Sequence, residues 1–271
     1  MNIKIPKWLI IVSFIFLIFL AFLMYLRYIG TSGLVVKEYK VVNKNITENY
    51  HGLKIVQLSD IHYKTTINNK DLLKIVDKIN YINPDIVVFT GDLFDNKIKY
   101  SDNDLKELKN SLNKIKVSYK KYAINGNHDD IDMWKSVISD SGFVDIRDSY
   151  DLIYMNDVKP ILISGLDQDS DKVNKFLEND NVYSIVIMHE PDKALNVSGY
   201  NLMLGGHSHN GQIRLPYIGA LYKIEGSKTY YDEHYKIKGN DLFISGGLGC
   251  SLLNLRFFNH PSINFYRIVN K

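Results

Sequence analysis

The stretch Leu53-Lys-Ile-Val-Gln-Leu-Ser-Asp-Ile-His62 decides the fold of this chain. Its first six residues form a short apolar run, which predicts a buried β-strand. The run gives way at once to a carboxylate, Asp60, and an imidazole, His62. Because ligands of open α/β sheets gather at the carboxyl ends of strands, this transition is typical of a functional loop.

Four further apolar runs end in the same way. Residues 86–89 lead into Thr90-Gly-Asp92-Leu-Phe-Asp95, and residues 121–124 lead into Asn125-Gly-Asn127-His128-Asp129. Residues 184–188 lead into His189-Glu-Pro, and residues 202–204 lead into Gly205-Gly-His207-Ser-His209. A polar turn explains any one of these clusters equally well. Five of the eight histidines fall in the clusters, however, so the whole set predicts one polar centre.

The segments between these runs predict an α/β domain. Residues 71–82 carry Leu72, Ile75, Val76 and Ile79 at helical spacing, and residues 104–115 repeat that period. Further strand candidates are residues 161–164, 241–245 and 263–268. With 45% hydrophobic and 12% aromatic residues, the composition is globular and excludes general disorder.

Residues 8–26 form an uncharged apolar segment of nineteen residues. A helix of that length spans roughly 28 Å, close to the hydrocarbon thickness of a bilayer. A core helix seldom carries Phe, Ile and Leu on every face. A cleaved signal peptide shares the basic start, but no small-x-small cleavage site follows the segment. The sequence therefore favours an uncleaved transmembrane helix within an anchor of residues 1–30. Residues 31–48 would then be a tether and first strand, and residues 49–271 the catalytic domain.

The distribution of charge predicts orientation and excludes one partner class. Lys4 and Lys7 precede the apolar segment, against Arg27 and the more distant Lys37 after it. The positive-inside rule then places the N-terminus in the cytoplasm and the domain outside it, at the cell membrane. The net charge of +3 comes from residues 1–30, so the body is neutral and no nucleic-acid partner is expected. The single Cys250 excludes an internal disulfide and a zinc site built on several thiolates.

The ordered clusters resemble the calcineurin-like metallophosphoesterases, whose motifs run D-x-H, G-D, G-N-H-D/E, a single His and G-H-x-H. Every motif is present in that order across residues 60–209. Gly211-Gln-Ile-Arg-Leu-Pro216 resembles the membrane-tethered bacterial phosphodiesterase branch of this superfamily. Two positions depart from that branch, Asn210 in place of Gly and Cys250 in place of Thr, and neither is a ligand position. The resemblance implies a four-layer α-β-β-α sandwich of two mixed sheets, preceded by one transmembrane helix.

The same resemblance implies two divalent metal ions, with Mn as the first choice and Fe or Zn as alternatives. Asp60, His62, Asp92 and His209 would hold the first ion. Asp92 would bridge to the second ion, whose other ligands would be Asn127, His189 and His207.

Two further residues receive catalytic roles from the resemblance. His128 stands where the family places a general acid that protonates the leaving oxygen. Asp95 matches the position that orients this imidazole in related phosphatases, although a turn or helix-cap Asp explains it as well. Asp129 is open to the same two interpretations.

The sequence thus predicts a membrane-anchored phosphoesterase that hydrolyses phosphodiester, pyrophosphate or phosphomonoester bonds by attack of a metal-bridging hydroxide. A bilayer anchor suits a lipid-linked or cell-envelope substrate. The alternatives are a catalytically silent binding or scaffold module on the same fold, and a nuclease of the same superfamily. The complete ligand set argues against the first, and the neutral body argues against the second.

Two sets of residues after the last motif receive structural predictions. Arg214 and Arg256 suit a phosphate clamp, but surface salt bridges are the commoner role of Arg. The tyrosines of this region favour half-buried strand packing over a stacking or lipid-contact surface; they are Tyr217, Tyr222, Tyr230, Tyr231 and Tyr235.

Overall fold

Two six-stranded mixed sheets form the body of the protein. The computed structural model describes residues 6–155, 157–170, 182–251 and 253–271. In spatial order, the first sheet contains β1 (Val35–Asn43), β14 (Ser262–Asn270), β2 (Lys54–Leu58), β3 (Ile86–Thr90), β4 (Lys120–Ile124) and β5 (Phe143–Asp145). Strands β2 to β5 run parallel, and β14 is antiparallel to β2.

The second sheet contains, in spatial order, β12 (His234–Ile237), β13 (Asn240–Ile244), β9 (Leu202–Gly205), β8 (Ser184–Ile187), β7 (Ile161–Gly165) and β6 (Ser149–Ile153). Its four central strands are parallel, and both edge strands are antiparallel to their neighbours. A parallel centre places the carboxyl ends of β8 and β9 at the same edge of the sheet.

Three helices of the domain begin at side-chain caps. They are α2 (Asn69–Ile82), α3 (Asp102–Asn113) and α4 (Ile131–Asp140). Asn68 caps α2 by accepting the backbone N–H of Asp71, and Ser101 forms a capping box with Asp104 at the start of α3. The sequence analysis predicts no helix at the position of α4, so this helix is a finding of the structure.

Apolar side chains fill the space between the layers. Ile55 and Val88 of the first sheet share a buried cluster with Ile163 and Leu204 of the second, so the sheets pack face to face. Helices α2, α3 and α4 cover the other face of the first sheet through a second cluster that includes Trp134. The predicted pair of mixed sheets with helices outside is thereby confirmed.

The N-terminal apolar segment forms one helix that is long and apolar enough to cross a membrane, by length and composition. Helix α1 (Lys7–Met24) continues through a π-helical turn, Tyr25–Ile29. Its apolar side chains are almost all exposed, so it is not a core helix of the domain. We call Lys7–Ile29 the anchor helix.

The end of the anchor helix packs against the domain. The side chain of Leu26 is buried, and its carbonyl accepts the backbone N–H of Arg256 at 3.1 Å. The ring of Phe22 meets that of Phe257 edge to face, with centroids 5.3 Å apart. These contacts join the anchor helix to the loop that follows the second sheet.

A short hairpin, β10 (Arg214–Leu215) with β11 (Gly219–Ala220), lies after the H-x-H motif. Tyr217 and Tyr222 of this region are exposed, so the prediction of half-buried strand packing is wrong for both. Tyr235, which lies in β12, is half-buried as predicted.

Candidate metal centre

Five loops bring the predicted residues to one edge of the paired sheets. The loops follow β2, β3 and β4 in the first sheet and β8 and β9 in the second. Within each sheet these strands are parallel, so their carboxyl ends share an edge. Short distances join the seven predicted ligands into one cluster: Asp60, His62, Asp92, Asn127, His189, His207 and His209.

Asp60, His62 and His209 form the first group of candidate ligands. All three are buried, and their ligand atoms lie within 4.8 Å of one another. His209 Nε2 is 3.4 Å from Asp60 Oδ1 and 3.3 Å from His62 Nε2. One carboxylate and two imidazoles that converge on one point fit a divalent transition metal.

Asp92, His189 and His207 form the second group, which is also buried. His207 Nδ1 is 3.2 Å from His189 Nε2. The amide oxygen of Asn127 is 3.0 Å from the same His189 nitrogen. This set of one carboxylate, two imidazoles and one amide oxygen fits a second divalent ion.

Asp92 lies at the junction of the two groups. Its Oδ2 is 3.5 Å from His62 Nε2 and 3.3 Å from His189 Nε2. Its Oδ1 accepts the backbone N–H of His128 at 2.9 Å. One carboxylate oxygen thus faces both groups, which is the placement that a shared ligand requires.

The backbone is left-handed at most of the residues that converge here. Positive φ at a residue other than glycine costs about 1–3 kcal/mol, and such residues cluster at functional sites. The rest of the fold therefore holds a strained backbone in place at the centre. The residues are Asp60 (φ 52°), His62 (41°), Asp92 (57°), His207 (64°) and His209 (47°).

Two glycines let the loops approach closely. A Cβ on Gly126 would overlap Asp92 Oδ1, and a Cβ on Gly206 would overlap Ser59 Oγ. The glycines of the G-N-H-D and G-H-x-H motifs are thus required by space at the centre, not only by turn formation.

Two imidazoles are oriented by backbone carbonyls behind them. His189 Nδ1 lies 2.8 Å from the carbonyl oxygen of Thr90, which leaves Nε2 facing the centre. His207 Nε2 lies 2.6 Å from the carbonyl oxygen of Glu225, which leaves Nδ1 facing the centre. A hydrogen bond at the outer nitrogen fixes the ring and its tautomer, as at known metal sites.

Arg256 is fully buried beside the centre, which corrects the prediction of a surface salt bridge or phosphate clamp. Its guanidinium donates to the carbonyl of Gly249 at 2.7 Å and lies 3.2 Å from His209 Nδ1. Arg214 does form an ion pair, with Asp232 at 2.7 Å. Arg256 therefore belongs to the support of a candidate ligand.

Burial keeps most of the imidazoles neutral. It lowers the pKa of His62 and the pKa of His207 to about 4. Burial, with the charge of Arg256 as a lesser cause, holds the pKa of His209 well below its ordinary value. Neutral imidazole is the form that binds metal, so these three rings are ready to accept a cation at neutral pH.

Asp92 and His189 carry opposite charges in the metal-free protein. Burial opposes the charge on Asp92, but neighbouring His189 outweighs it and lowers the pKa of Asp92 well below its usual range. Burial also opposes the charge on His189, but Asp92 outweighs it and raises the pKa of His189 to about 10. Burial raises the pKa of Asp60 to about 7.

His128 and Asp95 lie at the side of the first group. The rings of His128 and His62 meet edge to face, with centroids 5.1 Å apart. Asp95 Oδ2 is 3.6 Å from His62 Nδ1, and ligand atoms of all three residues lie within 4.8 Å of one another. Asp95 Oδ1 also accepts the backbone N–H of Lys97 at 2.9 Å, so Asp95 serves a turn as well.

Asp129 holds the loops after β3 and β4 together, a role that the motif alone does not reveal. Its Oδ2 accepts the backbone N–H groups of Asp92 at 3.0 Å and Gly126 at 2.8 Å. Its Oδ1 accepts the N–H of Phe94 at 2.9 Å. Three bonds to one carboxylate fix the loop that carries Asp92, so Asp129 is a positioning residue.

Known proteins are similar to this chain over most of its length. Residues 53–211 match the calcineurin-like phosphoesterase family. The metallophosphoesterase YkuE of Bacillus subtilis (strain 168) is 32% identical over 243 residues, covering 85% of this chain and 84% of YkuE. YkoQ of the same strain, also a metallophosphoesterase, is 28% identical over 234 residues, covering 80% and 83%. The UDP-2,3-diacylglucosamine pyrophosphatase LpxG of Chlamydia muridarum (strain MoPn / Nigg) is 26% identical over 281 residues, covering 81% and 84%.

The chain therefore belongs to the calcineurin-like metallophosphoesterase family. It is a hydrolase that acts on phosphoric ester bonds, and groups of metal-binding side chains lie at the carboxyl ends of its central strands.

Proposed function

We propose that this protein is a membrane-anchored phosphoesterase that uses two divalent cations to hydrolyse a lipid-linked or cell-envelope phosphodiester or pyrophosphate. The observation that carries the proposal is the convergence of seven donors into two groups that share Asp92. A silent scaffold would not need to maintain this set together with the backbone strain around it.

In this proposal the first group, Asp60, His62 and His209, would hold one cation, and Asn127, His189 and His207 would hold the other. Asp92 would be a ligand of both. When bound, the pair of cations supplies Lewis acidity and an activated water for in-line attack on phosphorus, with Mn as the first choice of metal.

His128 serves as the general acid in the proposed reaction. Its ring is half-buried beside the first group, and its Nδ1 has no hydrogen-bond partner among the described residues. It donates a proton to the leaving oxygen. Asp95, which lies beside both rings, orients the imidazoles of His62 and His128.

Two observations support a substrate linked to the membrane. The anchor helix is apolar, exposed and long enough to span a bilayer. LpxG, which is similar over most of its length, is named for a diacylated sugar nucleotide. An enzyme held at a bilayer meets amphiphilic phosphates at high local concentration, so a lipid-linked phosphate is the substrate class we favour.

The charge asymmetry of the anchor helix supports a domain outside the cytoplasm. Lys7 precedes the apolar segment and Arg27 lies at its end; Lys4, on which this inference also depends, lies outside the described residues. A positive N-terminal flank favours retention of the N-terminus in the cytoplasm.

Replacement of the shared carboxylate tests the two-metal proposal. Asp92→Asn removes the charge that offsets repulsion between the cations, so turnover of a chromogenic phosphodiester should fall by at least about 10³-fold. The metal content of the purified protein, measured by elemental analysis, should fall with it.

The matched control is Asp151→Asn, because Asp151 pairs with Lys120 and accepts the Tyr122 hydroxyl, which Asn can also accept, and it belongs to neither group of candidate ligands. This variant should keep both its metal and its activity. Full turnover by Asp92→Asn would contradict the assignment of Asp92 as the shared ligand.

A further inference from the structure

An apolar groove of about 320 Å³ opens beside the metal centre. Its volume lies within the range of small-molecule sites. Its polar end is formed by Ser208 and His209, and the rest of its wall comes from both sides of the β10–β11 hairpin and from the segment before Arg256. The wall residues are Gly211, Gln212, Ile213, Leu221, Tyr222, Ile224, Ser251 and Leu253.

The side chains around the groove leave apolar surface in water. Leu221 is 56% exposed, Tyr222 is 65% exposed and Leu253 is 52% exposed. Covering such side chains with an apolar ligand would gain about 25 cal/mol of free energy for each Å² of apolar surface removed from water. Leu221, Tyr222 and Leu253 thus form an apolar wall that a ligand could cover.

The polar groups of the groove wall do not compete with an apolar ligand. Apart from His209 at its end, the described wall carries no ionisable group except the phenol of Tyr222. The amide of Gln212 donates to the carbonyls of Leu253 at 2.6 Å and Leu255 at 2.9 Å. Because this amide is engaged within the protein, the wall offers a ligand mainly dispersion and hydrophobic contact.

The groove is continuous with the base of the anchor helix. Ile213 pairs with Phe257 in an isolated bridge, and the backbone N–H of Leu221 donates to the Ile213 carbonyl at 3.1 Å. The ring of Phe257 in turn packs on Phe22 and Tyr25 of the anchor helix. The same short hairpin therefore connects the candidate ligand His209 with the segment that is apolar enough to enter a bilayer.

We propose that this groove holds an acyl chain of the substrate, a lipid whose phosphate ester or pyrophosphate is cleaved at the adjacent metal centre. The inference rests on the proposed function and specifies its substrate class. An amphiphile matches the surface: its charged phosphate meets His209 and the metal-binding groups, and its chain lies against Ile213, Leu221 and Ile224.

The test uses the full-length protein in phosphatidylcholine nanodiscs with Mn²⁺. The substrates are p-nitrophenyl phosphodiesters of butanol, octanol and dodecanol, and kcat/KM is measured for each. A buried methylene contributes up to about fourfold in affinity. We expect the dodecyl ester to exceed the butyl ester by at least about 10²-fold in kcat/KM.

Leu221→Asp places a charge in the groove wall and should lower this dodecyl-to-butyl ratio by at least about tenfold. Leu195→Asp is the matched control, because Leu195 is 59% exposed and lies outside the groove wall. Partitioning of long esters into the nanodisc is the same for both variants, so their difference isolates the groove. Leu253→Asp replaces Leu221→Asp if the latter does not fold.

The outcomes separate the two proposals. Hydrolysis of all esters with a flat chain-length profile overturns the groove assignment and leaves the proposed function standing. A steep profile that is equal in Leu221→Asp, Leu253→Asp and Leu195→Asp also overturns the groove, because partitioning alone then explains it. Failure of the metal-loaded protein to hydrolyse any ester contradicts the proposed function and the groove assignment with it.

Discussion

The metal centre and the apolar groove meet at His209, yet they are built in opposite ways. The centre is buried and polar, and its backbone is strained at Asp60, His62 and Asp92. The groove is lined by exposed apolar side chains such as Leu221 and is supported by a hairpin of two-residue strands. A buried polar centre held by many hydrogen bonds has fixed geometry, whereas an open apolar wall accepts chains of different shape.

This difference indicates that the centre performs the reaction and the groove selects the substrate. Groups that hold cations or move protons must stay within a fraction of an ångström of their working positions. A surface that selects an acyl chain needs only area and shape. Changes in the centre should therefore alter the rate for every ester by the same factor, and changes in the groove should alter the ratio between esters.

Among the changes that separate the centre from the groove, the largest effect should come from the proposed general acid. His128→Ala should lower kcat by about 10²- to 10⁴-fold for butyl and dodecyl esters alike, with metal content unchanged. His234→Ala is the control, because His234 lies on the edge strand β12, outside the centre. Its imidazole pairs with Asp241 of the neighbouring strand β13. Loss of metal in His128→Ala would show that His128 is a ligand.

A smaller effect should follow from loosening the loop that carries Asp92. In the parent protein both carboxylate oxygens of Asp129 accept backbone N–H groups. In Asp129→Asn an N–H₂ group replaces one of these oxygens, so at least one of the three hydrogen bonds is lost. The affinity for Mn²⁺, measured by calorimetry, should fall by about 10- to 100-fold.

Asp130→Asn is the matched control for that variant. Asp130 is the N-cap of α4, and Asn caps a helix equally well. Equal Mn²⁺ affinity in Asp129→Asn and the parent protein would remove Asp129 from the support of the centre.

Metal binding by the unaltered protein should also depend on pH. Burial raises the pKa of Asp60 to about 7, and Asp92 raises the pKa of His189 to about 10, so both hold protons near neutrality that a cation must displace. Affinity for Mn²⁺ should rise from pH 6 to 8 by up to about tenfold per pH unit for each proton displaced.

Two other imidazoles of the centre do not contribute to the pH dependence near neutrality. The pKa of His62 and the pKa of His207 are lowered to about 4 by burial, so both rings stay neutral above about pH 5 and add no slope there. Calorimetry in buffers of different ionisation enthalpy counts the released protons. Binding without proton release at pH 7 would contradict protonation of His189 in the metal-free protein.

The positions of the candidate ligands could be predicted from the sequence because each cluster follows an apolar run directly. Asp60 and Asp92 lie next to β2 and β3, so the sheet alone brings them together. The role of Asp129 was missed because it depends on three backbone N–H groups from two loops, which no local pattern encodes. The helical spacing of Trp134, Val137 and Ile138 in α4 did offer a signal.

The groove could not be predicted in the same way. Its wall depends on the pairing of Ile213 with Phe257 and on the bonds from Gln212 to the segment before Arg256, which are distant in sequence. Strands of two residues carry no periodicity, so Tyr222 could not be distinguished from a half-buried strand residue.

The docked last turn of the anchor helix has a kinetic consequence. Leu26 is buried, and its carbonyl accepts the backbone N–H of Arg256. These contacts fix the position of the loop beside His209 relative to the end of the anchor helix. In the proposed anchored form, enzyme and substrate then search for each other in two dimensions. Turnover follows the mole fraction of substrate in the leaflet, and added inert lipid slows it even when the total amount of substrate is constant.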